Sequence, residues 1–160
     1  MLDSIRKNMT WRAIPLAAAA AGTAFLIAQL LLMGLLLQIG PALSLRYMAS
    51  VMMGDGVLTD GGVGVLIMGV LVHYLLSLVF TTLIAIILHR WGLMIGIIGG
   101  GLLGLALYLI NLYFMTRYLT WFFALNSPAL LVAHIVFGAV AGGVYEMFDH
   151  YDGEMTVEAA

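Results

Sequence analysis

Two histidines stand inside long uncharged apolar stretches. His73 lies in GVLVHYLLSLVFT, residues 69–81, and His134 lies in LLVAHIVFGAVAGGVYEMF, residues 130–148. Gly69, Ser77 and Thr81 share four-residue spacing with His73, and Gly138, Gly142 and Glu146 share it with His134. Residues four apart occupy one face of a helix, so each histidine belongs to a narrow small-and-polar stripe. Ionisable groups within a bilayer are costly and face a bundle interior or a cavity. Three kinds of chemistry fit. The imidazoles can be structural, each bonding a backbone carbonyl, a hydroxyl, or a group in the segments that carry Arg46 and Arg117. They can ligate b-type haem, with the glycines making room for the ring. Or they can form a polar site for an ion, a proton or a small solute. A histidine-only zinc site lacks a third ligand at matched depth, so no metal site is expected.

The depths of the two histidines agree. His73 precedes His89 by sixteen residues and His134 precedes Asp149 by fifteen, about 24 and 22 Å at the helical rise. If both stripes face inward, the imidazoles can face each other. Arg46 and Arg117, each followed by tyrosine, fall at the outer interface. There they snorkel to phosphates, or roof the histidine site and bind a lipid phosphate or haem propionate. Tyr108 and Asn111 are deep enough to require hydrogen-bond partners, expected on a neighbouring helix. Glu146 is expected to be hydrated at the cytoplasmic edge. With no cysteine, disulfides, thiolate metal sites, iron–sulfur clusters and a cysteine nucleophile are excluded. Met48, Met52 and Met53 read as interfacial packing rather than a copper site. Serine, histidine and acidic residues do not converge, so no catalytic residue is assigned and a non-enzymatic protein is expected.

The elements that carry these residues follow from composition. Hydrophobic residues make up 64% of the chain and charged residues 9%, against roughly a quarter charged in soluble domains. Lipid must therefore be the solvent for most of the surface. The net charge of −2 gives no basic face for nucleic acid. The pattern predicts an all-α, four-transmembrane-helix bundle in one domain over residues 1–150, with spans near 13–39, 62–88, 91–114 and 128–147. The first run far exceeds the ~7–15 residues of a signal-peptide core, so it is expected to remain as a span. Gly40-Pro41 ends it, and ALSLRYMASVMM then reads as a short interfacial helix. TRYLTWFFALNS is expected to form a second short interfacial helix, after span 3. His89-Arg90-Trp91-Gly92 makes a tight hairpin, and Ser127-Pro128 starts the last helix. Residues 151–160 form an acidic tail expected to be flexible. Arg6, Lys7, Arg12 and Arg90 flank one side, Arg46 and Arg117 the other, so the positive-inside rule places both termini in the cytoplasm.

Spans 2 and 4 align without gaps, VHYLLSLVFTTLIA against AHIVFGAVAGGVYE, and RYMASVMM precedes one as RYLTWFF precedes the other. Two helix pairs in the same topology would form a parallel internal repeat about an axis along the membrane normal. The glycines of span 3, Gly92, Gly96, Gly100 and Gly104, make a further stripe suited to close helix approach.

The pattern VLVHYLLSLVFTTL…LLVAHIVFGAVAGGVY, with SVMMGDG after the first span, resembles a family of small uncharacterised four-helix bacterial membrane proteins. Some of its members carry a sodium:proline-symporter-like label. The resemblance spans residues 30–145 and implies four helices and the bacterial inner membrane. It implies no established activity, and the chain is far too short for the large inverted-repeat sodium transporters. The expected function is that of a small non-catalytic multi-pass protein, an accessory or assembly subunit or a homo-oligomer acting through helix packing. Its partners would be the lipid bilayer and other membrane subunits or itself. The glycine row of span 3 would be the docking face if it points outward. The alternative is a haem b or small-solute or ion site between helices 2 and 4, built on His73 and His134.

Overall fold

The computed structural model describes residues 9–59 and 61–158, with side chains described as far as residue 149. Every regular element among them is helical: α1 Ala13–Leu37, α2 Pro41–Met53, α3 Val63–Leu88, α4 Leu93–Tyr113 and α5 Pro128–Glu158. The helices α1, α3, α4 and α5 are long and apolar enough to cross a membrane. Their starts and inner boundaries match the predicted spans within a few residues. Backbone chemistry sets the boundaries. Gln38 takes a left-handed φ of 56° and closes α1 by returning its amide to the Met33 carbonyl. Pro41 sits in the first turn of α2, where its missing N–H costs nothing. The α3–α4 hairpin turns through positive φ at Arg90 and at Gly92 (70° and 85°). Ser127 Oγ accepts the Leu130 amide at 3.2 Å and caps α5.

Two expectations need adjusting. The segment expected to form a short interfacial helix after the third span is broken into two short 3₁₀ helices, Met115–Arg117 and Thr120–Leu125. Its sequence match before the second span, RYMASVMM, is α-helical in α2, so the matched halves of the expected repeat have different backbones there. The acidic segment from residue 151 continues the backbone of α5 as far as Glu158, while its side chains lie outside the described residues. Arg6 and Lys7, which contribute to the orientation count, also lie outside them, as does Asp60.

The hub is α5, which packs against α4, α1 and α3. Its small stripe meets the glycine row of α4 face to face. A Cβ on Gly138 would overlap the Gly100 carbonyl oxygen, one on Gly104 the His134 carbonyl oxygen, and one on Gly142 the Gly96 carbonyl oxygen. In lipid, where apolar burial gives no drive between helices, this backbone-to-backbone approach supplies the packing that associates them. The α4 row is therefore spent inside the chain and is not an outward docking face. The α3 stripe is spent as well. Gly69 lies under the Leu45 carbonyl of α2, Ser77 lies against Gly22 of α1, and Thr81 is buried. Leucines such as Leu35 (78% exposed), Leu71 and Leu102 point outward. That surface, too apolar for water, fits a small multi-pass membrane protein.

At the end opposite the α3–α4 turn, α2 and the 114–125 segment meet over the bundle. Tyr47 and Phe122 pack edge to face at 5.8 Å, and Trp121 Nε1–H donates to Ser50 Oγ at 2.9 Å. These two segments form the roof of the site.

Candidate functional site

His73 is positioned by the crossing of α1 and α3. Gly22 has no side chain, which lets Ser77 and Tyr74 come up against α1 and exposes the Gly22 carbonyl to the imidazole. The His73 Nε2 lies 2.8 Å from that oxygen. A carbonyl can only accept, so Nε2 carries the proton and Nδ1 of the uncharged ring keeps a lone pair. One turn on, Ser77 Oγ–H donates to the His73 carbonyl at 2.8 Å. Beside this crossing Tyr74 Oη and Thr23 Oγ1 lie 2.9 Å apart, a second polar tie between the same two helices.

His134 is held differently. Its Nδ1 lies 2.8 Å from the Leu130 carbonyl of its own helix, so Nδ1–H is the donor. Nε2 must then accept, and it receives the Asn111 Nδ2–H at 3.0 Å. That bond fixes the orientation of the Asn111 amide, leaving its Oδ1 and its second N–H as remaining hydrogen-bonding capacity. Tyr108 packs on the His134 ring at 5.7 Å and donates through Oη to Asn126 Oδ1 at 2.8 Å. Asn111 thus has its partner on a neighbouring helix as expected, whereas Tyr108 finds its own at Asn126, in the connection just before α5 and not on a helix. Both histidines bond a backbone carbonyl.

Phe25 of α1 bridges the two imidazoles, with ring centroids 5.4 Å from His73 and 5.0 Å from His134. Beside it lies a cavity of about 160 Å³ that both histidines line. Phe25, Ser77, Leu125 and Phe137 are buried in its wall with them. Its rim is half-buried: Leu76 and Phe80 on α3, Leu107 and Asn111 on α4. The roof contributes Met48 and Val51 from α2, and Leu119 and Phe122 from the 114–125 segment. The helices α3 and α4 make little contact with each other, so the rim lies on the lipid-facing side, between them. Among the described residues no lysine, arginine, aspartate or glutamate lines the cavity.

The residues do not fit a haem held by both histidines. Each Nε2 is engaged within the fold, Phe25 contacts both rings, and 160 Å³ is well below the ~300–1,000 Å³ of ordinary ligand pockets. Among the described residues no three histidine, aspartate or glutamate side chains come together as metal ligands. Neither arginine lines the cavity. Arg46 donates to the Leu58 and Gly61 carbonyls, at 3.4 and 3.1 Å, and pins the loop after α2. Arg117 is exposed on its 3₁₀ turn, a placement open to lipid phosphate.

Glu146 differs from expectation. It is buried, not hydrated, at 3% exposure, and its Oε2 accepts the Gly92 amide at 2.8 Å. The tight turn and the close Gly96–Gly142 approach bring the start of α4 against it. An acidic side chain there meets unpaired amides and the positive end of the helix dipole. Other site-region residues were not anticipated. Phe25 was one apolar residue among many in its span. Gln29, one turn further along α1, is fully buried with neither amide atom hydrogen-bonded among the described residues, and Ser44 Oγ is in the same state. A lone amide in an uncharged apolar run was the available signal for Gln29.

Comparison with protein-family models, with curated proteins and with solved structures finds no match to this chain.

Proposed function

We propose that this chain is a multi-pass membrane protein that binds a small neutral molecule drawn from the bilayer, in the cavity between α3, α4 and α5. The observation that supports this is the cavity itself: about 160 Å³, too small for a haem but enough for one small molecule, where two intramembrane histidines and an asparagine converge. Its uncharged lining favours a neutral occupant over an ion, because an unpaired charge in so apolar a space is strongly penalised. Its half-buried rim between two loosely packed helices favours access from lipid. The reading as an assembly subunit loses its main support, because the glycine stripes on which docking would rest are occupied within the chain. In this proposal the protein sits in the bacterial inner membrane with both termini cytoplasmic, as the basic flanks suggest. The absence of cysteine makes single-cysteine labelling a clean check of that topology.

The test is chemical. Wild-type protein and two filled-cavity variants, Leu107→Trp and Phe80→Trp, are purified in mild detergent, checked for helicity and monodispersity, and extracted with organic solvent for mass spectrometry. A stoichiometric small molecule in the wild-type extract that is lost from the variants supports the proposal. Identical extracts contradict it.

A further inference from the structure

Resting on that reading, we infer that the ligand is a single aromatic ring bearing a hydroxyl, a phenol or the quinol headgroup of a lipid-soluble molecule, with the ring between Phe25 and the α3–α4 rim and its hydroxyl on Asn111 and His73. Size comes first. The cavity measures about 160 Å³, and an apolar protein cavity of about 150 Å³ holds one benzene ring. The lining agrees, since Phe25, Phe80, Phe122 and Phe137 all border the space, and aromatic groups favour stacked or edge-on partners.

The polar inventory then narrows the class. His73 spends its N–H on Gly22 and keeps an acceptor. Asn111 spends one N–H on His134 and keeps one donor and one acceptor. A hydroxyl both donates and accepts, so it can satisfy an acceptor and a donor at once. A bare ring would leave these groups unpaired in a dry site, which costs binding. A carboxylate or ammonium would bring a charge that no lining residue balances. Any hydrocarbon tail on the ring has a route out past Leu107 and Phe80 into lipid, where its apolar surface belongs.

The probes are p-cresol and p-xylene, which differ by a hydroxyl in place of a methyl. Equilibrium binding is measured in lipid nanodiscs, each probe referred to its partition into protein-free nanodiscs. For the wild type, saturable one-site binding is expected with p-cresol favoured about tenfold, the effect of one well-made hydrogen bond. That preference should collapse in Asn111→Leu and in His73→Phe, and both probes should fail to saturate in Leu107→Trp and Phe80→Trp. Equal binding of the two probes would overturn the hydroxyl assignment while leaving the binding reading in place. A preference that survives in both polar variants would overturn the assignment to this site. Saturable binding of neither probe to the wild type would overturn the binding reading as well. The source is read by competition against bound p-cresol. A prenylated benzoquinol in the bilayer competes if the ligand is lipid-borne, whereas hydroquinone added to the buffer competes alone if it arrives from water. Failure of both to compete would overturn the quinol form and leave a simple phenol.

Discussion

Gly22→Ala tests the crossing that positions His73. A Cβ at Gly22 would stand 2.7 Å from Ser77 Oγ, 3.1 Å from Ser77 Cβ and 3.2 Å from Tyr74 Cδ1. Restoring ordinary contact requires about 0.7 Å of separation from the hydroxyl, or about 0.3 Å from the carbon if the hydroxyl rotates away. The first route stretches the His73–Gly22 bond from 2.8 Å to about 3.5 Å, the outer limit for a hydrogen bond. The second sacrifices the Ser77 bond to the His73 carbonyl. Overpacking together with a weakened interhelical bond should cost roughly 2–3 kcal/mol, while alanine in place of glycine within a helix returns about 1 kcal/mol. The net is a loss of about 1.5 kcal/mol. Ser77→Ala removes the nearest atom, so the double variant should recover about 1 kcal/mol relative to Gly22→Ala alone. Steric trapping in bicelles measures both differences. The reasoning is refuted if Gly22→Ala is as stable as the wild type, or if Ser77→Ala adds its own loss instead of restoring stability.

Other outcomes follow from the same packing. Gly138→Ala should disrupt the α4–α5 interface, because its Cβ would overlap the Gly100 carbonyl and lie 2.7 Å from the Gly104 amide. Gly101→Ala, whose nearest contacts are 3.7 Å or longer, should stay within about 0.5 kcal/mol of the wild type in the same assay. Glu146→Ala should free the first turn of α4, at a cost of about 1–2 kcal/mol, and raise amide hydrogen exchange after Gly92, whereas Glu146→Gln, which keeps a carbonyl acceptor, should change it much less. Arg46→Gln should increase exchange in the loop after α2, whose Leu58 and Gly61 carbonyls it holds. Arg117→Gln should leave that loop unchanged.

The four spans were legible because a run of apolar residues longer than a bilayer's hydrocarbon core has few other uses. The turns were legible because glycine, proline and serine have local backbone reasons to be where they are. The stripes revealed that faces were made for close approach, but not which helix would meet which. Gly100 and Gly138 find each other because α5 runs through the middle of the bundle, and no local signal reports that. His73 and His134 were singled out by the cost of imidazole in lipid. Their hydrogen bonds depend on Gly22 and Asn111, 51 and 23 residues away in the chain. Glu146 was misread because its exposure was judged from its place at a helix end, and the tight turn that buries it lies 54 residues earlier. The alignment of RYMASVMM with RYLTWFF could not foresee their different backbones, since the second itself folds into two short 3₁₀ helices.

The most direct measurement is the anomalous scattering of bromine in crystals of the wild-type protein soaked with 4-bromophenol. A bromine peak in the space bounded by Phe25, Phe80 and Leu107, absent from crystals of Leu107→Trp, is the expected result. Peaks confined to the outer surface of the helices, with none inside, would contradict the account.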